Sequence, residues 1–108
     1  MEAFTIDQLI AEQAAGKRPY LEFLRHDSMS LGLYVLTTGD TDLQQPHNED
    51  EVYYIVSGQG QISVGDETQT VRPGSIVFVA AHVPHRFHDI SEDLKILVFF
   101  APPETGLT

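Results

Sequence analysis

The chain has no cysteine, which excludes disulfide cross-links, thiolate metal sites and cysteine nucleophiles in one step. It has no tryptophan and no apolar run approaching the ~20 residues needed to cross a bilayer, and Met1 to Thr5 carries no basic segment leading into an apolar one. No membrane partner is expected, and the chain reads as cytoplasmic. Positive charge is also scarce. Six Lys and Arg stand against 16 Asp and Glu, giving a formal charge of −10, and no basic cluster exceeds Lys17-Arg18. Such a surface repels phosphate backbones, so no nucleic-acid partner is expected. Acidic residues stand beside turns, as at Glu49-Asp50-Glu51, Asp66-Glu67 and Glu92-Asp93, and most of them read as solvated loop charge.

What is present suits a folded domain. At 108 residues with 42% hydrophobic content the chain is expected to be a single domain spanning 1–108. One helical signal stands near the start. Thr5-Ile6-Asp7-Gln8 has capping-box form, Ile6, Leu9 and Ile10 form an apolar stripe, and Gly16 reads as the stop, predicting a helix over 6–15. Beyond Pro19 the apolar period becomes two. The runs 20–25 and 29–36 flank His26-Asp27-Ser28 as a hairpin. Further short strands are predicted at 51–56, 61–64, 68–71, 75–79 and 95–100. Between them lie turn signals such as Ser57-Gly58-Gln59-Gly60 and Ser91-Glu92-Asp93. Many short strands with frequent turns favour an antiparallel sandwich or barrel. The tail from Ala101, with Pro102-Pro103, reads as loose or draped over a neighbour.

Three residues carry chemistry. His47, Glu51 four positions on, and His85 within Val83-Pro84-His85-Arg86-Phe87 are each flanked by strand-like sequence. Two imidazoles and a carboxylate suit a divalent transition metal with coordination positions left open. By strand alternation Tyr53, Ile55, Phe78 and Phe87 would wall the cavity around them. Taken singly, each has a plainer reading: His47 as a turn residue beside Pro46, Glu51 as one more loop acid. His26, His82 and His88 read as exposed imidazoles, with His88 on the face opposite His85. No Ser stands with an evident His and Asp relay, and no phosphate loop is present.

The spacing also resembles a known family, the cupins. Gly39, five residues, Gln45-Pro46-His47, three residues, Glu51, six residues and Gly58 keep the frame of the first cupin motif, with Gln45 where that motif has its first His. Gly74, five residues, Ala80-Ala81-His82, two residues, His85, three residues and Asp89 keep the second, with Ala80, His82 and Asp89 replacing Pro, Gly and Asn. The resemblance covers about residues 30 to 100 and is greatest to small single-domain bacterial cupins. It implies an all-β double-stranded β-helix, or jelly-roll, barrel over about 20–100 with the short helix outside. It also implies one divalent metal ion per chain (Fe, Mn, Ni or Zn) held by His47, Glu51, His85 and, as a fourth ligand, Gln45, together with a small-molecule ligand or substrate and a homodimer. A metal-dependent, oxygenase-like enzyme is the leading expectation. The alternatives are a cupin isomerase or lyase and a non-catalytic cupin binding a small ligand or effector, since the fold alone does not select a reaction.

Overall fold

Two strands of unusual length organise the molecule. In a computed structural model that describes residues 1–42 and 46–105, the chain forms α1 (Ile6–Gly16), β1 (Tyr20–His26), β2 (Met29–Leu36), β3 (Asp50–Val64), β4 (Glu67–Val71), β5 (Ile76–Val79) and β6 (His85–Ala101). Every strand pairing is antiparallel, in the order β1-β2-β6-β3-β4, with β5 on the free side of the first half of β3.

The predicted strands 51–56 and 61–64 are therefore one strand, and Ser57 to Gly60 is no turn. Three register shifts between Ile55 and Gln61 bend β3 against β6 without ending either. Ser91 to Asp93, also read as a turn, lies across from this bend inside β6. Gly58 shows why: its φ is +94, and a Cβ there would stand 2.0 Å from the Asp93 carbonyl oxygen. The glycine marks a close approach of two bent strands, which a turn-like composition imitates. The bend divides the ladder. Residues 50–57 of β3 face residues 95–101 of β6, whereas residues 59–64 face residues 85–92, so β3 and β6 each serve two sheets that curl toward one another.

The enclosed core contains Tyr34, Leu36, Tyr53, Ile55, Ile62, Val71, Val79, Phe87, Leu94, Ile96, Val98 and Phe100. Phe78, expected to wall this cavity, is 60% exposed on the outer face, and its neighbour Val79 is buried instead. β5 thus runs in the opposite side-chain phase to the one predicted. On the outer face of the hairpin, Leu9 of α1 and Leu33 are both buried, which places the helix outside the barrel.

The helix begins as predicted, with the Gln8 amide donating to Thr5 Oγ1 at 3.3 Å. Its end differs. Gly16 is the last helical residue, and Lys17 takes the left-handed conformation with φ 62. The tail is not loose as far as Thr105. Glu104 N–H donates to Ser30 Oγ at 2.9 Å, and Arg25 Nη2 donates to the Glu104 carbonyl at 2.7 Å. The chain after β6 thus folds back over its own first hairpin.

Candidate metal site

Glu51 enters the interior on β3 in phase with Tyr53 and Ile55, and His85 opens β6 in phase with Phe87. Both side chains are 1% exposed. His47 precedes β3, with its ring 5.7 Å from that of His85 and edge-on to Phe100 at 5.1 Å. One ligand atom from each of His47, Glu51 and His85 lies within 4.8 Å of the others, so the three could hold a metal ion. Gln45 lies outside the described residues.

The hydrogen bonding around His85 fixes its tautomer. Nδ1 stands 2.8 Å from the Val83 carbonyl oxygen, which only accepts, so Nδ1 carries the proton and the Nε2 lone pair points inward. There it meets Glu51 Oε1 at 3.1 Å. Neither Glu51 oxygen nor His85 Nε2 has a hydrogen-bond partner of good geometry, although all three are buried. A neutral imidazole lone pair facing a carboxylate is repulsive, and buried polar atoms are ordinarily paired. A cation between them, a proton or a metal, removes both penalties.

Ionisation follows the same geometry. Burial opposes protonation of His85, but the Glu51 carboxylate and the Val83 carbonyl outweigh it and raise the imidazole pKa above its ordinary value. Burial, and then the Glu51 charge, hold the Tyr53 hydroxyl well above the usual phenol range, so it stays a protonated donor beside the carboxylate.

Sequence reasoning missed Asp42. It lies in a polar stretch read as a loop, yet it is buried, accepting from Tyr34 Oη and from the Phe87 amide, each at 2.8 Å. It anchors the start of β6 two residues beyond His85. Glu49, read as solvated, is buried as well, with Oε2 accepting from Thr105 Oγ1 at 2.8 Å. Neither position carries an apolar period that would have revealed it.

The remaining histidines stay outside the cluster. His82 occupies the position where the second motif prefers Gly and has φ 68, the left-handed region that Gly adopts without strain. Its amide donates to the His47 carbonyl at 2.7 Å, tying the strained turn to a candidate ligand, while its side chain is exposed. His26 is exposed and pairs with Glu2. His88 corrects the statement that no Ser stands with a His and Asp relay. Its Nε2 lies 2.7 Å from Ser63 Oγ and its Nδ1 2.9 Å from Asp89 Oδ2. Ser63, however, is paired with Thr68 on one side and Arg86 on the other, so ladder bonding occupies the neighbouring backbone, and Asp89 is 80% exposed. The relay lacks the free amides and the dry setting that acyl transfer uses.

The Cupin domain model matches residues 32–100, and the protein belongs to that family. Its bent antiparallel barrel is the double-stranded β-helix seen in cupins of known structure. An uncharacterized protein of Streptomyces coelicolor is 56% identical over 105 residues, covering 97% of this chain and all of that one. An L-ectoine synthase of Vibrio cholerae is 29% identical over 86 residues, and the match covers 77% of this chain and 62% of the enzyme. The crystal structure of TT1209 from Thermus thermophilus superposes with a TM-score of 0.75 at 25% identity, covering 95% of this chain and 99% of that one. No helix among the described residues is long and apolar enough to cross a membrane.

Proposed function

We propose that this cupin binds one divalent transition metal per chain through His47, Glu51 and His85 and is a metal-dependent enzyme acting on a small molecule in the barrel mouth. The observation that carries the reading is the buried, partnerless set of Glu51 Oε1, Glu51 Oε2 and His85 Nε2 beside His47. Two imidazoles and a carboxylate suit Fe, Mn, Ni or Zn, and a metal so held supplies a Lewis acid with open positions for substrate. This chain's own residues do the rest. The Val83 carbonyl keeps His85 in the ligating tautomer. Tyr53 offers a hydroxyl donor at the site, and Phe87 and Phe100 exclude water around it. Oxygenase-type chemistry leads, with isomerase or lyase chemistry behind it, because two histidines and one carboxylate are the donor set of non-heme Fe(II) centres.

The second reading is a non-catalytic cupin that binds a small ligand, favoured by Gln45 standing where the family's first motif has a histidine. The similarity to an L-ectoine synthase favours the enzyme. Elemental analysis after expression in metal-supplemented medium separates the two. About one metal per chain is expected, and a metal-free protein would favour the ligand-binding reading. Gln45→His is expected to tighten binding, since imidazole is a better donor than a carboxamide.

The chain is further proposed to work as a single cytoplasmic domain and a homodimer. Tyr54, Ile76 and Phe78 expose a patch of large apolar side chains on the outer face of β3 and β5, which supports association. Of the two N-terminal strands, β1 stands at the end of the sheet order and β2 lies inside it, between β1 and β6, so β1 is the one that offers an edge for pairing. A monomeric mass by light scattering at micromolar concentration would count against the dimer.

A further inference from the structure

Asp42 is a buried acid to which the proposed function gives no role. It is 6% exposed, and both of its oxygens accept, Oδ1 from the Tyr34 hydroxyl and Oδ2 from the Phe87 amide, each at 2.8 Å. An oxygen pair met by two donors is the setting of a charged carboxylate. Burying such a charge is costly unless a counter-charge lies near it. None of the six Lys and Arg supplies one, since none is buried. Among the described residues, the buried side chain able to take positive charge is His85.

Geometry ties Asp42 to that histidine. Phe87 follows His85 by two residues in the same inward phase of β6, roughly 7 Å along the strand. On one side of β6 Phe87 stands opposite Ile62 of β3, and its amide is taken by Asp42. That bond fixes the stretch of backbone from which His85 projects. The Tyr53 ring packs edge-on against Phe87 at 4.9 Å and lies 6.1 Å from the His85 ring. Burial and Glu51 act first on the ionisation of His85 and Tyr53, and the charge of Asp42 adds to both, favouring the cation on the imidazole and the proton on the phenol.

A field that favours a proton at His85 also favours a metal ion there. Asp42 is not itself among the ligands, because the atoms that converge within 4.8 Å belong to His47, Glu51 and His85. With Glu51 it makes two buried negative charges, which a divalent ion balances and a single proton does not.

We propose that Asp42 is the positioning residue of the metal centre: it holds β6 so that His85 reaches the ion, and it supplies the second buried negative charge that a divalent ion balances. This rests on the metal reading. Cobalt(II) suits the same donors and reports their geometry through its visible absorption, so its titration into the native chain and three variants tests the proposal. Asp42→Asn removes the charge but can keep both bonds, its carbonyl on the Phe87 amide and its NH2 on a Tyr34 hydroxyl turned to accept. It is expected to weaken cobalt binding about tenfold to a hundredfold with the absorption bands unmoved. Asp42→Ala removes the bonds as well, and should weaken binding further and shift the bands. Tyr34→Phe keeps the charge and the Phe87 bond, and should match the native chain in affinity and bands. Native affinity in Asp42→Asn, native bands in Asp42→Ala, or a loss in Tyr34→Phe equal to that in Asp42→Asn would each overturn the proposal. A native chain that takes up no cobalt would instead defeat the metal reading, and the role of Asp42 with it. Melting temperatures accompany each titration, and if one Asp42 variant fails to fold the other decides.

Discussion

His85 and His88 stand three residues apart on β6, each beside a carboxylate, and they differ in what remains unsatisfied. His88 faces outward with both ring nitrogens engaged, by Ser63 and by an Asp89 that is open to solvent. His85 faces inward with one nitrogen engaged by Val83 and the other 3.1 Å from the buried Glu51 carboxylate, with no hydrogen bond of good geometry between them. The same residue pair is thus a closed hydrogen-bond network on one face and a set of buried, unsatisfied polar atoms on the other. The candidate site is marked here less by its residue types than by buried polar atoms left unsatisfied after folding.

The comparison breaks most directly by truncation. His85→Ala or His47→Ala is expected to abolish stoichiometric metal, because two remaining protein ligands seldom retain a divalent ion, while His88→Ala keeps the full equivalent. Metal content after gel filtration checks both arms, and a fully loaded His85→Ala protein would reverse the assignment.

Glu51→Gln sharpens it. The amide should weaken metal binding by about tenfold to a hundredfold. It should also stabilise the metal-free protein by about 1 kcal/mol, because an N–H can now donate to His85 Nε2 in place of a repelling charge. Melting curves with and without zinc should therefore shift in opposite directions relative to the native chain. Two shifts of the same sign would argue that the Glu51 and His85 pair is satisfied without metal.

Protons compete for the same lone pair. Since Glu51 and the Val83 carbonyl raise His85 above its ordinary 6.5, metal affinity should already be falling as pH drops toward that value, and titration of zinc uptake between about pH 8 and 5 checks it.

Glu104 gives a smaller pH effect of known sign. Its folded pKa of about 7 exceeds the ordinary 4.5, so between these values the folded state holds more protons than the unfolded one and stability falls as pH rises. Glu104→Gln should flatten that slope in denaturant titrations. The smallest effect is at His82, where Gly should relieve the φ of 68 and raise stability by up to about 1 kcal/mol without changing metal content.

The residues themselves determined a good deal. Alternation along 20–36 and the helix cap at Thr5 are local properties, and both elements formed where such patterns place them. His47, Glu51 and His85 were legible because their spacing keeps two motif frames and because the alternation around Glu51 and His85 fixes an inward phase. Local chemistry was less informative where backbone approaches were long-range. Gly58 reads as a turn because Gly and Ser usually are one, and only the strand passing at Asp93 makes it a bend. Glu49 reads as a solvent-facing acid because charge is normally exposed, Asp42 and Glu104 carry no local sign of burial, and only packing against distant parts of the chain buries all three. The largest such decision is the site itself. On the ladder His85 pairs with Val64, and Val64 lies 13 residues beyond Glu51 on the same strand (64 − 51), a separation of roughly 40 Å in a straight ribbon. Glu51 and His85 nevertheless meet at 3.1 Å. Strand phase, which the chain carries in its alternation, points both side chains inward; closing the two curled sheets over an apolar core, which depends on contacts between distant residues, is what brings them together.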